Sequence, residues 1–168
     1  VNENSDYFID YLQSELQKDI TILTRILSNE YHQMSEHEIE LFFNRYENSI
    51  QKAIKTQDDC VVEGILKIYY EMLISCSALS TIQLHVSNFL NGTFTSTFST
   101  SESKINIWQT DLAITLAKSS KMLSIVLPWI IRYFSETKTA TIDLNRYKLE
   151  AFLMTSEHPI VNEMICNS

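Results

Sequence analysis

Glycine and proline are almost missing from this chain, with two of each in 168 residues. So few turn formers and helix breakers disfavour a strand-rich sandwich or barrel and favour long helices. The three cysteines, Cys60, Cys76 and Cys166, are odd in number and widely spaced, with no CxxC and no Cys/His pair at ligand spacing. That pattern argues against a disulfide scaffold and a zinc site. Basic charge is short as well: 13 Lys and Arg stand against 21 Asp and Glu, for a net charge of -8 and a pI near 4.9. A general phosphate-backbone binder needs the opposite balance, so nucleic-acid binding is not expected. No apolar signal segment opens the chain, and it begins with Val, not Met. The expectation is an intracellular protein, cytoplasmic or nuclear, that can be a piece of something longer.

What is present is a hydrophobic content of 45%, enough for an ordinary core in one domain over residues 1–168. Charge is uneven along the chain. Residues 1–63 hold 13 acidic and 5 basic residues, whereas residues 64–168 hold 8 of each.

Apolar residues at Ile9, Leu12, Leu16, Ile20, Leu23 and Leu27 step by three or four and predict one helix from Ser5 to Leu27. Ser35 with Glu38 forms a capping-box signature for a second helix, with Ile39, Phe42, Phe43, Tyr46, Ile50 and Ile54 as its buried face. The two are expected to pair antiparallel across the link Ser28 to Met34. A third helix is expected from Asp58 or Asp59 through Val62, Ile65, Leu66, Tyr69, Met72, Leu73, Cys76 and Leu79 towards Leu90, where Asn91-Gly92 stops it. Its second half is unusual, because no Asp, Glu, Lys or Arg occurs from Met72 to Thr100. A charge-free helix is normally buried on most sides. The frequent Ser, Thr, Gln, His and Asn between Met72 and Leu90 argue against a membrane span.

After a hydroxyl-rich stretch from Thr93 to Ser101, a fourth helix is expected near Ser103, carrying Ile105, Trp108, Leu112, Leu116 and Leu123. Pro128 should kink or restart it around Ser124 to Leu127, before Trp129, Ile130, Tyr133 and Phe134. Thr137 to Ile142 reads as a loop. Asp143 is expected to cap a further helix through Leu144, Tyr147, Leu149, Phe152 and Leu153, and Pro159 to open a last short one. The fold expected is all-α, a bundle of about six or seven helices, with stacking of helix pairs into a short solenoid as the variant.

Signatures of catalysis are few. With two glycines there is no GxxxxGK[ST] or GxGxxG phosphate loop, and GxSxG, HExxH and paired Glu-x-x-His motifs are all missing. No enzyme, cofactor or metal site is expected. His32 and His37 lie among Glu30, Glu36, Glu38 and Glu40, but five residues apart is wrong for one helical face, so a solvated acidic link is expected. Asp58-Asp59 is explained by capping and the helix dipole. His85 reads as a hydrogen-bonded core or interface histidine. Asn91-Gly92-Thr93 matches the glycosylation sequon, which matters only in a secretory compartment. A phosphate at Ser99, Thr100 or Ser101 would sit just before a helix start.

These features point first to a protein-protein interaction domain, a helical scaffold or subunit of a larger complex, binding another protein or itself. Candidate interface residues are Tyr70, His85, Phe94, Phe98 and Trp108, aromatic or polar-tipped positions in or beside the uncharged stretch. One of Tyr69 and Tyr70 has to point away from an amphipathic helix core. The seven cations between Lys104 and Lys148, against Asp111, Glu136 and Asp143, complement the acidic start, either within the fold or towards a partner. The alternative is a small-molecule sensor or carrier with an apolar cavity lined by Tyr69, Met72, Cys76, Trp108 and Trp129.

Overall fold

The computed structural model describes residues 3–92, 102–118, 120–136, 148, 151 and 152. Among them are seven α-helices and no strand: α1 (Glu3–Leu16), α2 (Ile20–Leu27), α3 (Glu36–Thr56), α4 (Asp59–Ser75), α5 (Gln83–Leu90), α6 (Glu102–Ala117) and α7 (Ser120–Glu136). The expected all-α bundle is the observed architecture. The expected loop at Thr137 to Ile142, the helix after Asp143 and the helix at Pro159 lie outside the described residues, apart from Lys148, Ala151 and Phe152.

Helix α4 runs through the middle and packs against α1, α2, α3 and α6. It can do so because Val61, Val62, Ile65, Leu66, Tyr69, Met72 and Leu73 are all buried, an apolar arc wide enough to meet several neighbours at once. Asp58 starts it by accepting the Val61 N–H at 3.0 Å. Helix α3 starts in the expected way, Ser35 Oγ accepting from the Glu38 N–H at 3.1 Å. Its face Ile39, Phe42, Phe43, Tyr46 and Ile50 is buried against α4, with Ile54 half-buried.

The single first helix read from the sequence is two. A 3-10 turn at Gln17–Asp19 divides it, and Gln17 sits in the left-handed region at φ 38°. That turn resets the helical phase. Leu12, Leu16, Leu23 and Ile26 face the core, while Ile9 and Leu27, both placed on the expected stripe, are exposed. Helix α2 ends in a Schellman motif, with Asn29 at φ 58°, the Asn29 N–H on Ile26 O and the Glu30 N–H on Arg25 O. Pairing with α3 follows the expected antiparallel register through Lys52 with Glu15 and Arg45 with Asp19, each at 2.7 Å. The apolar face of α1, however, lies mainly on α4.

The long third helix also breaks. Helix α4 stops at Ser75, a turn and the 3-10 segment Ser80–Ile82 follow, and α5 begins at Gln83. The phenol of Tyr31, from the α2–α3 link, donates to Ser75 O at 2.7 Å and occupies one of the helix-end carbonyls. At the other end Asn91 and Gly92 stop α5 as expected, Gly92 taking φ 73°. The side-chain amide of buried Gln109 on α6 donates to Phe89 O at 2.9 Å and Leu90 O at 3.3 Å. Lack of charge therefore does not make this stretch central. The central helix is α4, which carries Asp59, Glu63, Lys67 and Glu71, whereas charge-free α5 leaves Leu84 65% exposed.

Helix α7 runs through Pro128 without interruption, and the expected restart lies earlier, at Lys118. Pro128 removes the N–H that would reach Ser124 O, but both residues are exposed, so water can satisfy that carbonyl. Leu112, Ala113 and Leu116 of α6 and Met122, Leu123, Val126 and Ile130 of α7 join the same hydrophobic cluster as α1 to α5.

Two buried hydroxyls have no hydrogen-bond partner among the described residues, that of Thr81 in the 3-10 segment before α5 and that of Thr110, whose whole side chain is buried on α6. Thr110→Val keeps the shape and removes the stranded hydroxyl. Urea unfolding should show it about 1 kcal/mol more stable than the native chain.

Candidate functional site

Residues 40, 43 and 47 lie on one face of α3, since steps of three and four keep side chains aligned along a helix. Here the three are Glu, Phe and Glu, and His85 of α5 lies against them. The imidazole is 1% exposed and stacks on Phe43, with ring centroids 5.2 Å apart. Its Nε2 is 3.0 Å from both Glu40 Oε1 and Glu40 Oε2, and its Nδ1 is hydrogen-bonded to Glu47 Oε1. The same Glu47 Oε1 accepts the hydroxyl of Tyr69 from α4. Three helices thus meet on one carboxylate.

A neutral imidazole has one N–H and one lone pair, whereas the imidazolium has two N–H donors. A carboxylate at each nitrogen therefore selects the protonated ring. Burial alone would lower the His85 pKa, but the hydrogen bonds and negative charges of Glu47 and Glu40 outweigh it and raise the pKa above its ordinary value of 6.5. Tyr69 is pushed the other way from ionisation. Burial first, then the neighbouring Glu47 charge, carries its phenol far above 10 and keeps it a donor. Behind it Tyr46 stacks on Tyr69 at 5.7 Å and donates to Ile65 O at 2.8 Å, so the aromatic wall is itself fixed.

This arrangement binds helices to each other. With both ring nitrogens occupied, His85 has no lone pair to offer a substrate proton or a metal. Among the described residues no group of three or more His, Cys, Asp or Glu is arranged to hold a metal ion. Cys76 is buried, which pushes its thiol up to about 12 and leaves negligible thiolate at neutral pH.

The candidate interface residues fall in different places. His85 faces inward, in the polar cluster. Tyr70 is the outward member of its pair, as required, but it is half-buried because Trp108 of α6 stacks on it at 6.4 Å. Phe94 and Phe98 lie outside the described residues, as do Ser99, Thr100 and Ser101. Of the side chains suggested as a cavity lining, Tyr69, Met72 and Cys76 are fully buried members of the core, Trp129 packs against Tyr133, and Trp108 covers Tyr70. Glu30, His32, Glu36, His37 and Glu38 are exposed, as a solvated link requires, but Glu40 turns away from them to reach His85.

Sequence reading placed Glu40 in that link and gave Glu47 no role. The available signal was spacing: both flank apolar positions of α3, and a histidine in a charge-free stretch needs a partner from elsewhere.

No family model, curated protein or solved structure matches the chain. No helix among the described residues is long and apolar enough to cross a membrane.

Glu47 is the better buried carboxylate, its side chain 15% exposed against 31% for Glu40, and it holds two donors. Glu47→Ala leaves a buried cation half-paired and should cost about 3–5 kcal/mol in urea unfolding, with Glu40→Ala costing clearly less. Tyr69→Phe should cost about 1.5–3 kcal/mol in the native chain. Added to Glu47→Ala it should cost far less, and additive losses would show that the hydroxyl acts elsewhere.

Proposed function

We propose that this chain is a protein-binding helical domain, acting as a scaffold or as a subunit of a larger complex. The observation that carries the reading is the surface of α5. That helix contains no Asp, Glu, Lys or Arg, and its Leu84 is the most exposed large hydrophobic side chain among the described residues, at 65%. Gln83, Ser87 and Asn88 beside it are half-buried and uncharged. Helix α7 packs against α5 and carries Ile131, 45% exposed. Depletion of charge together with exposed large apolar groups is the composition found at the centre of protein interfaces.

Two further features support it. The polar cluster around His85 is closed on itself, each ring nitrogen meeting a carboxylate, so it offers no reactive group to a substrate. Several acidic groups of the first third are also engaged within that part of the fold: Glu15 and Asp19 pair with Lys52 and Arg45, and Glu40 and Glu47 close on His85. The partner is another protein or a second copy of the chain.

Light scattering from dilute to concentrated solution, together with capture from the native extract, tests this. Self-association or a stoichiometric partner is expected, weakened at least about tenfold by Leu84→Glu with Ile131→Glu. Because both sites are on the surface, the melting transition should stay within about 0.5 kcal/mol of the native chain. A monomer at every concentration that captures no protein overturns the proposal.

A further inference from the structure

Between Ser77 and Gly92 the only titratable side chain is His85. The one charged group this segment can offer its neighbours is therefore its imidazolium, and the receiving groups are two carboxylates on a single face of α3. We propose that His85 is a proton-operated latch: the protonated ring holds the segment from Ser80 to Gly92 against α3 and α4, and loss of the proton releases that segment while α1 to α4 stay folded.

The segment is suited to opening as a unit. Helix α5 has eight residues, too few to be stable without tertiary contacts. It is bounded by the turn after Ser75 on one side and by left-handed Gly92 on the other, so it can move without unwinding α4. Each neighbouring element contributes differently at the latch. Helix α3 presents Glu40 and Glu47, with Phe43 under the ring, and α4 presents the Tyr69 hydroxyl through Glu47. The 3-10 segment Ser80–Ile82 carries no titratable group. From α6 comes the neutral amide of Gln109, bonded to Phe89 O and Leu90 O. From α7 comes Arg132, which donates to Asn91 Oδ1 at 2.5 Å at the far end of the segment.

Removing the proton changes this balance at one point only. The cluster goes from one net negative charge to two, and one ring nitrogen becomes an acceptor facing a carboxylate. The folded ring binds its proton more tightly than an unfolded histidine does, since its pKa is raised from 6.5. The latch therefore contributes its full stabilisation below about 6.5, and that contribution is lost as the pH rises through the folded value. Opening exposes Val86, Phe89 and Leu90, all buried in the closed state.

Amide hydrogen exchange on the full chain between pH 6 and 9, expressed as protection corrected for the intrinsic rate, tests this. Protection at Val86, Phe89 and Leu90 should fall by about tenfold per pH unit across the window between the two pKa values. Protection at Ile65 and Leu66 of α4 should hold. In His85→Gln the α5 protection should be low and flat with pH. Should that variant not fold, nitrogen chemical shifts of His85 in the native chain decide: both nitrogens are expected to be protonated at pH 6 and to titrate above 6.5. Titration at or below 6.5, protection in α5 that does not change with pH, or a parallel loss in α4 each overturns the latch.

Discussion

An imidazole can donate from both nitrogens only when it carries an extra proton, and α3 presents it with two carboxylates and an aromatic ring in one row. That requirement decides where α5 lies. Once His85 is seated, Val86, Phe89 and Leu90 turn onto the core, Gln109 can reach the last carbonyls of α5, and α7 packs along its other side. The second half of the bundle is joined to the first partly through this short helix, and partly through the contact of α6 with α4 marked by Tyr70 and Trp108.

Apolar burial and polar contacts divide the work. A fully buried Leu, Ile or Phe contributes about 1.5–3 kcal/mol, whereas a net hydrogen bond contributes about 1. The stripes on α3 and α4 therefore supply most of the attraction, and it is not strongly directional. Direction comes from hydroxyls and charges that fit in only one register: Tyr11 to Ser49 O, Tyr46 to Ile65 O, Tyr31 to Ser75 O, and the carboxylates on His85. The surface pairs at Lys52 and Arg45 agree with that register but, exposed to water, add little energy.

Much of the helical content was legible because it depends on periodicity and caps. Ser35, Asp58 and Gly92 mark ends through local chemistry, and they stand where the sequence placed them. The breaks at Gln17 and Ser75 were not legible, since neither has a Gly or Pro to announce it. Gln17 adopts a conformation its type disfavours, and the end of α4 is completed by a phenol from residue 31, distant in sequence. At Pro128 the residue type was a poor guide for the converse reason: the proline and Ser124, whose carbonyl loses its partner, both lie on the exposed side of the helix, where a lost hydrogen bond costs little. The polar cluster joins residues 40, 47, 69 and 85, and no local pattern connects α5 to α3. Sequence could say that His85 needed a partner, but not which one.

The tyrosine contacts of α1, α3 and the α2–α3 link share one property: each phenol meets a main-chain oxygen. Every amino acid supplies that acceptor. Residues 49, 65 and 75 can thus drift in identity, within the limits of packing, without losing the bond, while positions 11, 31 and 46 cannot exchange Tyr even for Phe without breaking it. Selection on these cross-ties is one-sided. Divergent versions of this chain would preserve the tyrosines and let their acceptors vary, leaving no paired substitutions to betray the contacts. The carboxylate and histidine of the cluster, where both partners are side chains, would have to change together.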